Sequence, residues 1–162
     1  MNKILHFKAQ LNCTPEKAFE MFTVNDLVES WLIKPFSPTG HAEIEARIGG
    51  RYELFWDPNS REDDSTIGCR ITAIEPGKFL GFEWKGASQF KHFMNTADPL
   101  THVLAFFIPM NDGAKRVTEA HLVHTGWRNT PEWEGARKWF EESWKSAFQK
   151  LEQQVNNPNA SK

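Results

Sequence analysis

Tyrosine and cysteine are scarce in this chain, with one Tyr and two Cys among 162 residues. Cys13 and Cys69 stand far apart and share no short metal-ligand or redox spacing, so no zinc motif or thiol–disulfide motif is present. Two reduced thiols lead us to expect a cytoplasmic protein. Long apolar runs are also missing. None approaches the roughly 20 residues that span a bilayer, and no membrane association is expected. The segment Met1–Lys8 carries Lys3 and Lys8 with no continuous apolar stretch between them, unlike a signal peptide. There is no surplus of charge of one sign either. With 19 Lys+Arg against 21 Asp+Glu the net charge is −2, which argues against nucleic acid as a partner. No Gly-x-Ser-x-Gly elbow, phosphate-cradling glycine pattern, internal repeat or linker occurs.

What the chain does contain is an ordinary soluble mixture, 40% hydrophobic and 25% charged, of a length that suits one domain. That domain is expected over residues 1–155, followed by a polar, fraying tail at 156–162. Aromatics are plentiful and tilted toward seven Trp and thirteen Phe. So many large rings imply either a big core or a lined cavity.

The hydrophobic spacing predicts a half-buried strand over residues 3–11. Thr14-Pro15-Glu16 is a helix start, and Asn25-Asp26 is positioned to cap a second short helix that ends near Lys34, before Pro35. The middle of the chain reads as β: a weak strand at 42–48, a Gly49-Gly50 turn, then 51–56 with Tyr52, Leu54 and Trp56 on one face. Asp57–Ser65, with its Arg61-Glu62-Asp63-Asp64 charge run, is a solvated loop. Strands follow at 66–74 and 79–85, the latter with Leu80, Phe82 and Trp84 sharing a face. Residues 86–100 read as a loop or an interrupted edge. Thr101–Ile108 and Val117–Thr125 form a hairpin about Asp112–Gly113. The terminal helix, about 131–155, carries Trp133, Ala136, Phe140, Trp144, Ala147, Leu151 and Val155 along one stripe.

The order is therefore β-α-α-β6-α, an α+β architecture in which a long amphipathic helix packs on a curved antiparallel sheet. Because a bent sheet touches a straight helix mainly along a line, we expect space between them for a small apolar ligand.

Residues spread along the chain carry a family resemblance. They are Thr14-Pro15-Glu16-Lys17-Ala18-Phe19 with Trp31 and Pro35; Gly49-Gly50-Arg51-Tyr52; Gly68 to Pro76 followed by Phe79–Trp84; Thr118 to Trp127; and Trp144–Leu151 in the last helix. Together they resemble the helix-grip fold of the START-like superfamily (SRPBCC), to which birch-pollen-allergen-type proteins and polyketide cyclases belong. More narrowly, the chain is similar to the activator of heat-shock-protein-90 ATPase, homologue type. The resemblance implies a fold with an internal cavity and says little about chemistry. A separate N-terminal domain like that of the eukaryotic co-chaperone is not expected, because the first strand begins at about residue 3.

Candidate site residues follow from the inward faces. Tyr52, Trp56 and Trp84 recur there, and Trp31 and Trp144 come from the covering helices; they form either an aromatic wall around a ligand or simple packing. Tyr52 has a phenol that needs a partner when buried. If the hairpin turns symmetrically, His102 lies across from His124, and the two imidazoles would touch a ligand head group, join a metal with a third ligand, or form a satisfied strand pair. A slip of one residue would separate them. Glu53 and Glu83 are expected on solvent faces, and Cys69 as a small buried hydrophobe. No metal, cofactor or catalytic step is assigned. The reading is non-covalent binding of a small hydrophobic or amphipathic molecule. Its alternatives are an interaction module that contacts a chaperone and a cyclase- or hydrolase-like enzyme in the same cavity. Thr101–Ile108 is apolar on both faces, His102, Leu104, Phe106 and Ile108 against Val103, Ala105 and Phe107, and a second copy of the chain could cover the excess face in a homodimer.

Overall fold

The computed structural model describes residues 3–110, 113 and 115–157. Strand β1, Leu5–Leu11, alternates as expected, with Leu5, Ala9 and Leu11 buried. Thr14 then caps α1, Pro15–Thr23, its Oγ1 accepting the Lys17 N–H at 3.1 Å, with Pro15 at the start of the helix. Helix α2, Asn25–Val28, continues into a π-helical turn at Glu29–Ile33. Asn25 does not cap α2. It is the first helical residue, and its Oδ1 accepts the Ile44 N–H at 3.0 Å, tying the helix to the next strand.

Strands β2 (His41–Ile44), β3 (Tyr52–Phe55), β4 (Ile71–Glu75), β5 (Phe79–Trp84), β6 (Thr101–Pro109) and β7 (Thr118–Thr125) come next. The expected six antiparallel strands after β1 are all present, but they are not one uniform ladder. β1-β7-β6-β5-β4 form one sheet and β2-β3 a second. The two are joined through the irregular segment before β4. Tyr52 N–H donates to Cys69 O and Thr66 N–H to Leu54 O, while the buried Thr66 hydroxyl accepts from Leu54 N and donates to Tyr52 O, each at 2.9 Å. A side chain thus replaces ladder bonds that a regular strand would make.

The hairpin register differs from the symmetric expectation. His102 faces Thr125, and His124 faces Val103. Paired residues share a sheet face and neighbours alternate, so His124 lies on the helix-covered face and His102 on the outer one. The turn residues Asn111 and Asp112 lie outside the described residues, as does most of the expected tail, residues 158–162. The stretch 86–100 is more ordered than a loop. It holds a 3-10 turn at Ser88–Phe90 and α3, Lys91–Met94. Gly86 permits this close packing: a Cβ there would meet Met94 Sδ at 2.8 Å.

The last helix, α4, spans Pro131–Asn156, with Thr130 accepting the Trp133 N–H at its start. Its buried residues are the expected stripe plus Phe148; only Val155 is half-exposed. Phe148 packs against Phe7, Phe22 and Trp31 and so joins α4 to β1, α1 and the π-helical turn. At crossings of this kind each large buried side chain contributes about 1.5–3 kcal/mol.

Candidate functional site

The sheet face beneath α4 is filled, not hollow, where Phe22, Trp31, Phe107 and Phe148 meet. The open space lies to one side, as a cleft of about 770 Å³ between the middle of α4, the end of β5 and the loop after β3. Leu32, Trp56, Trp84, Phe140, Trp144 and Ala147 line it with apolar surface, and Phe36, Pro58 and Trp139 stand at its edge with Asp57, Asp64, Gln89 and Glu142. Small side chains account for the room. Ser143, Ser146 and Ala147 form the α4 wall, and Gly86 and Ala87 follow β5 on the other. Phe36 and Trp139 are exposed, at 50% and 42%.

Of the seven residues singled out from the sequence, Trp56, Trp84 and Trp144 line this cleft. Trp31 and Tyr52 do not. The Trp31 indole donates to Met21 O at 2.7 Å, deep in the core. The Tyr52 hydroxyl donates to Phe22 O at 2.7 Å and the ring stacks on Phe82, so the phenol's partner is the backbone of α1. Burial raises the Tyr52 pKa and holds the group as a neutral donor.

The expected His102–His124 pair is not assembled, because the two imidazoles lie on opposite faces of the sheet. His102 contacts the Thr72 hydroxyl on the outer face, and burial lowers its pKa. His124 is fully buried behind the cleft wall. Its Nδ1 accepts the Trp144 indole N–H at 3.1 Å, which places its own proton on Nε2, and Nε2–H donates to Thr101 Oγ1 at 3.1 Å. Thr101 in turn donates to Trp84 O at 3.4 Å. Burial above all, with a smaller contribution from His102, pushes the His124 pKa down to about 3. The imidazole is a neutral strut between sheet and helix, with both nitrogens committed.

One carboxylate departs from expectation: Glu53 is buried, not solvated, and accepts the Gly68 N–H at 2.7 Å. Glu83 lies on the outer face opposite His102, as expected, half-buried, and accepts the Arg70 N–H at 2.9 Å. Each holds a neighbouring backbone N–H through one carboxylate oxygen. Cys69 is buried as expected, and desolvation pushes its thiol up to about 12. Among the described residues no group of three or more His, Cys, Asp or Glu side chains could hold a metal ion.

The indoles of the cleft wall differ in one respect. Trp56 donates to Leu32 O at 3.1 Å and Trp144 to His124, whereas Trp84 Nε1 is buried and has no hydrogen-bond partner among the described residues. The remaining lining residues could have been read from the sequence only in part. Ser143 and Ala147 fall beside Phe140 and Trp144 on the amphipathic stripe, but nothing local marks Leu32, Phe36 or Gln89.

A sheet gripped by one long C-terminal helix, with an aromatic cleft at its side, defines the helix-grip class of START-like α+β domains. Residues 12–156 match the family described as Activator of Hsp90 ATPase homolog 1-like protein, and the chain belongs to that family. Its fold is shared with protein MLL2253 from Mesorhizobium loti (22% identity, TM-score 0.67, 94% of this chain and 96% of that one). It is shared too with NE0264 from Nitrosomonas europaea (18%, 0.63, 97% and 96%) and with the Aha1 dimer from Colwellia psychrerythraea (13%, 0.63, 96% and 98%). No curated protein matches the chain.

Proposed function

We propose that this protein binds a small hydrophobic or amphipathic molecule non-covalently in the cleft beside α4. One observation carries the reading: about 770 Å³ of open space walled by Trp56, Trp84, Phe140 and Trp144 in a domain whose centre is otherwise packed with side chains. Apolar clefts of roughly 300–1,000 Å³ are of the size that holds small ligands. Ligand exchange would pass the exposed rings of Phe36 and Trp139 at the edge. The test is native mass spectrometry of the protein taken directly from lysate, together with calorimetric titration of naphthalene-sized apolar probes. The expected result is a co-purifying adduct or micromolar probe binding that Ser143→Trp abolishes. A bare mass together with no heat from any probe overturns the reading.

A second reading rests on the outer sheet face, where Leu104 and Ile108 are 37% and 40% exposed and the Phe106 ring lies stacked on His121. The family's description and the dimeric relative suggest a protein-binding use for such a face, either a chaperone or a second copy of the chain. Sedimentation of the wild type and of Leu104→Asp tests self-association, and a pull-down on the chaperone tests the other partner. Monomeric wild type and an empty pull-down would remove both. An enzymatic use of the cleft would need an acid or base other than His124, whose nitrogens are both occupied.

A further inference from the structure

The outer face of the five-stranded sheet carries a side-chain cluster that the cleft does not use. His6 of β1 and His121 of β7 stand diagonally across the ladder, where His6 pairs with Val123 and His121 with Lys8. Their imidazoles meet nitrogen to nitrogen: His6 Nε2 lies 2.8 Å from His121 Nδ1, with the ring planes 18° apart. On its far side His121 Nε2–H donates to Glu119 Oε1 at 2.7 Å. A carboxylate only accepts, so the His121 proton sits on Nε2 and Nδ1 presents a bare lone pair. His6 Nε2–H donates into that lone pair.

One imidazole is held and the other is reachable. His121 lies flat on the Phe106 ring, with centres 4.6 Å and planes 3° apart, and is only 8% exposed. His6 is exposed and has room to turn. A carboxylate on the far N–H of an imidazole is also what fixes the tautomer and orientation of a histidine that ligates a metal. Metal–imidazole bonds of about 2.0–2.1 Å put two nitrogens on one ion about 2.9–3.4 Å apart. The observed spacing of 2.8 Å therefore needs only a slight opening and a tilt of the His6 ring.

We infer that His6 Nε2 and His121 Nδ1 form a two-imidazole site for a late first-row divalent cation, with water in the remaining positions and Glu119 as the positioning residue. Nitrogen donors favour copper(II), nickel(II) and zinc(II), with copper(II) bound most tightly, over calcium and magnesium, which take oxygen. On binding, the His6 proton moves from Nε2 to Nδ1 through water, so both facing nitrogens offer lone pairs and no proton is lost. Lys8, exposed and opposite His121 on the same face, is the charge that opposes the cation.

The experiment titrates the full chain with copper(II), nickel(II), zinc(II) and calcium chlorides by calorimetry in a weakly coordinating buffer. The expected result is one equivalent of copper bound in the micromolar range, weaker nickel and zinc, and no heat from calcium. His6→Ala, a change at an exposed position, should weaken copper binding about tenfold or more. Glu119→Gln should weaken it about tenfold, and the His121 tautomer, read from 15N-histidine shifts, should no longer be fixed. His92→Ala, which removes an exposed imidazole paired with Glu132 elsewhere, should leave the affinity unchanged. The copper adduct should show coupling to two nitrogens by electron paramagnetic resonance, and zinc should move the ring nitrogens of His6 and His121 alone. Equal copper affinity in wild type and His6→Ala, or zinc shifts at other histidines, overturns the site. No copper binding up to millimolar concentration overturns it outright and leaves the pair as a hydrogen bond between strands. An unchanged affinity and tautomer in Glu119→Gln overturns the positioning role.

Discussion

The indole N–H of Trp144 meets Nδ1 of His124 at 3.1 Å across the boundary between the last helix and the sheet. One donor decides the tautomer of the imidazole, and the imidazole in turn decides where Thr101 sends its proton. The helix is therefore keyed to the sheet by a polar link inside an apolar contact, which specifies its rotation more sharply than packing alone.

Acid should break this link. The folded His124 has its pKa lowered from 6.5 to about 3, so the unfolded chain binds a proton that the native one refuses between those values. Stability then falls as pH drops through that window. His102, also lowered, acts in the same direction, and below about 4.5 the loss is joined by Glu43 and Glu134, whose carboxyls are held at about 2 by arginine and other hydrogen-bonding partners. Urea denaturation at a series of pH values should show the decline beginning near 6.5 in the wild type. In His124→Phe the decline above the carboxylate range should be shallower, with His102 still contributing.

Tyr52→Phe separates core from cleft. It removes the hydrogen bond to Phe22 O and leaves the Phe82 stack in place, so it should cost about 1 kcal/mol in denaturant unfolding. Probe affinity should stay that of the wild type. A large change in affinity would return Tyr52 to the binding site.

Thr66→Val removes the hydroxyl that stands in for ladder bonds between β3 and the segment before β4. The Leu54 N–H is then buried without an acceptor, at a cost of about 1–3 kcal/mol. Amide exchange should speed up locally at Leu54 and its neighbours, with the β6–β7 ladder still protected. Uniform acceleration would show that the two sheets open as one unit.

Gly86→Ala tests the wall between the cleft and α3. Its new Cβ would meet Met94 Sδ at 2.8 Å and Met94 Cβ at 3.0 Å, so a loss of about 1–3 kcal/mol is expected on thermal or chemical unfolding. Shortening the neighbour in the double variant with Met94→Val should recover part of that loss. Full additivity would mean that the strain lies elsewhere, for example at Phe90.

The element order, the capped start of α1 and the long stripe of α4 were legible because each depends on spacing within one segment. Thr14-Pro15-Glu16 starts its helix wherever that helix lies, and the steps from Trp133 to Leu151 define a buried face with no knowledge of its partner. The same local logic correctly put Trp84 and Trp144 on inward faces. It could not decide what lay opposite them. Trp31 and Tyr52 share the same ring chemistry, yet their polar atoms bond to Met21 O and Phe22 O, carbonyls supplied by α1 after the chain has folded back.

Strand pairing was beyond the sequence for a related reason. Alternation along Thr101–Pro109 says which residues share a face, but the offset to Thr118–Thr125 depends on the path of the connecting turn, and a single step moves His102 from one side of the sheet to the other. The cleft is the clearest case. Its walls come from α4, β5, the π-helical turn and the loop after β3, each unremarkable alone. Hydrophobic pattern determined which surfaces had to be covered. Only the tertiary packing decided where coverage stops, because empty space belongs to the relation between elements and to no element by itself.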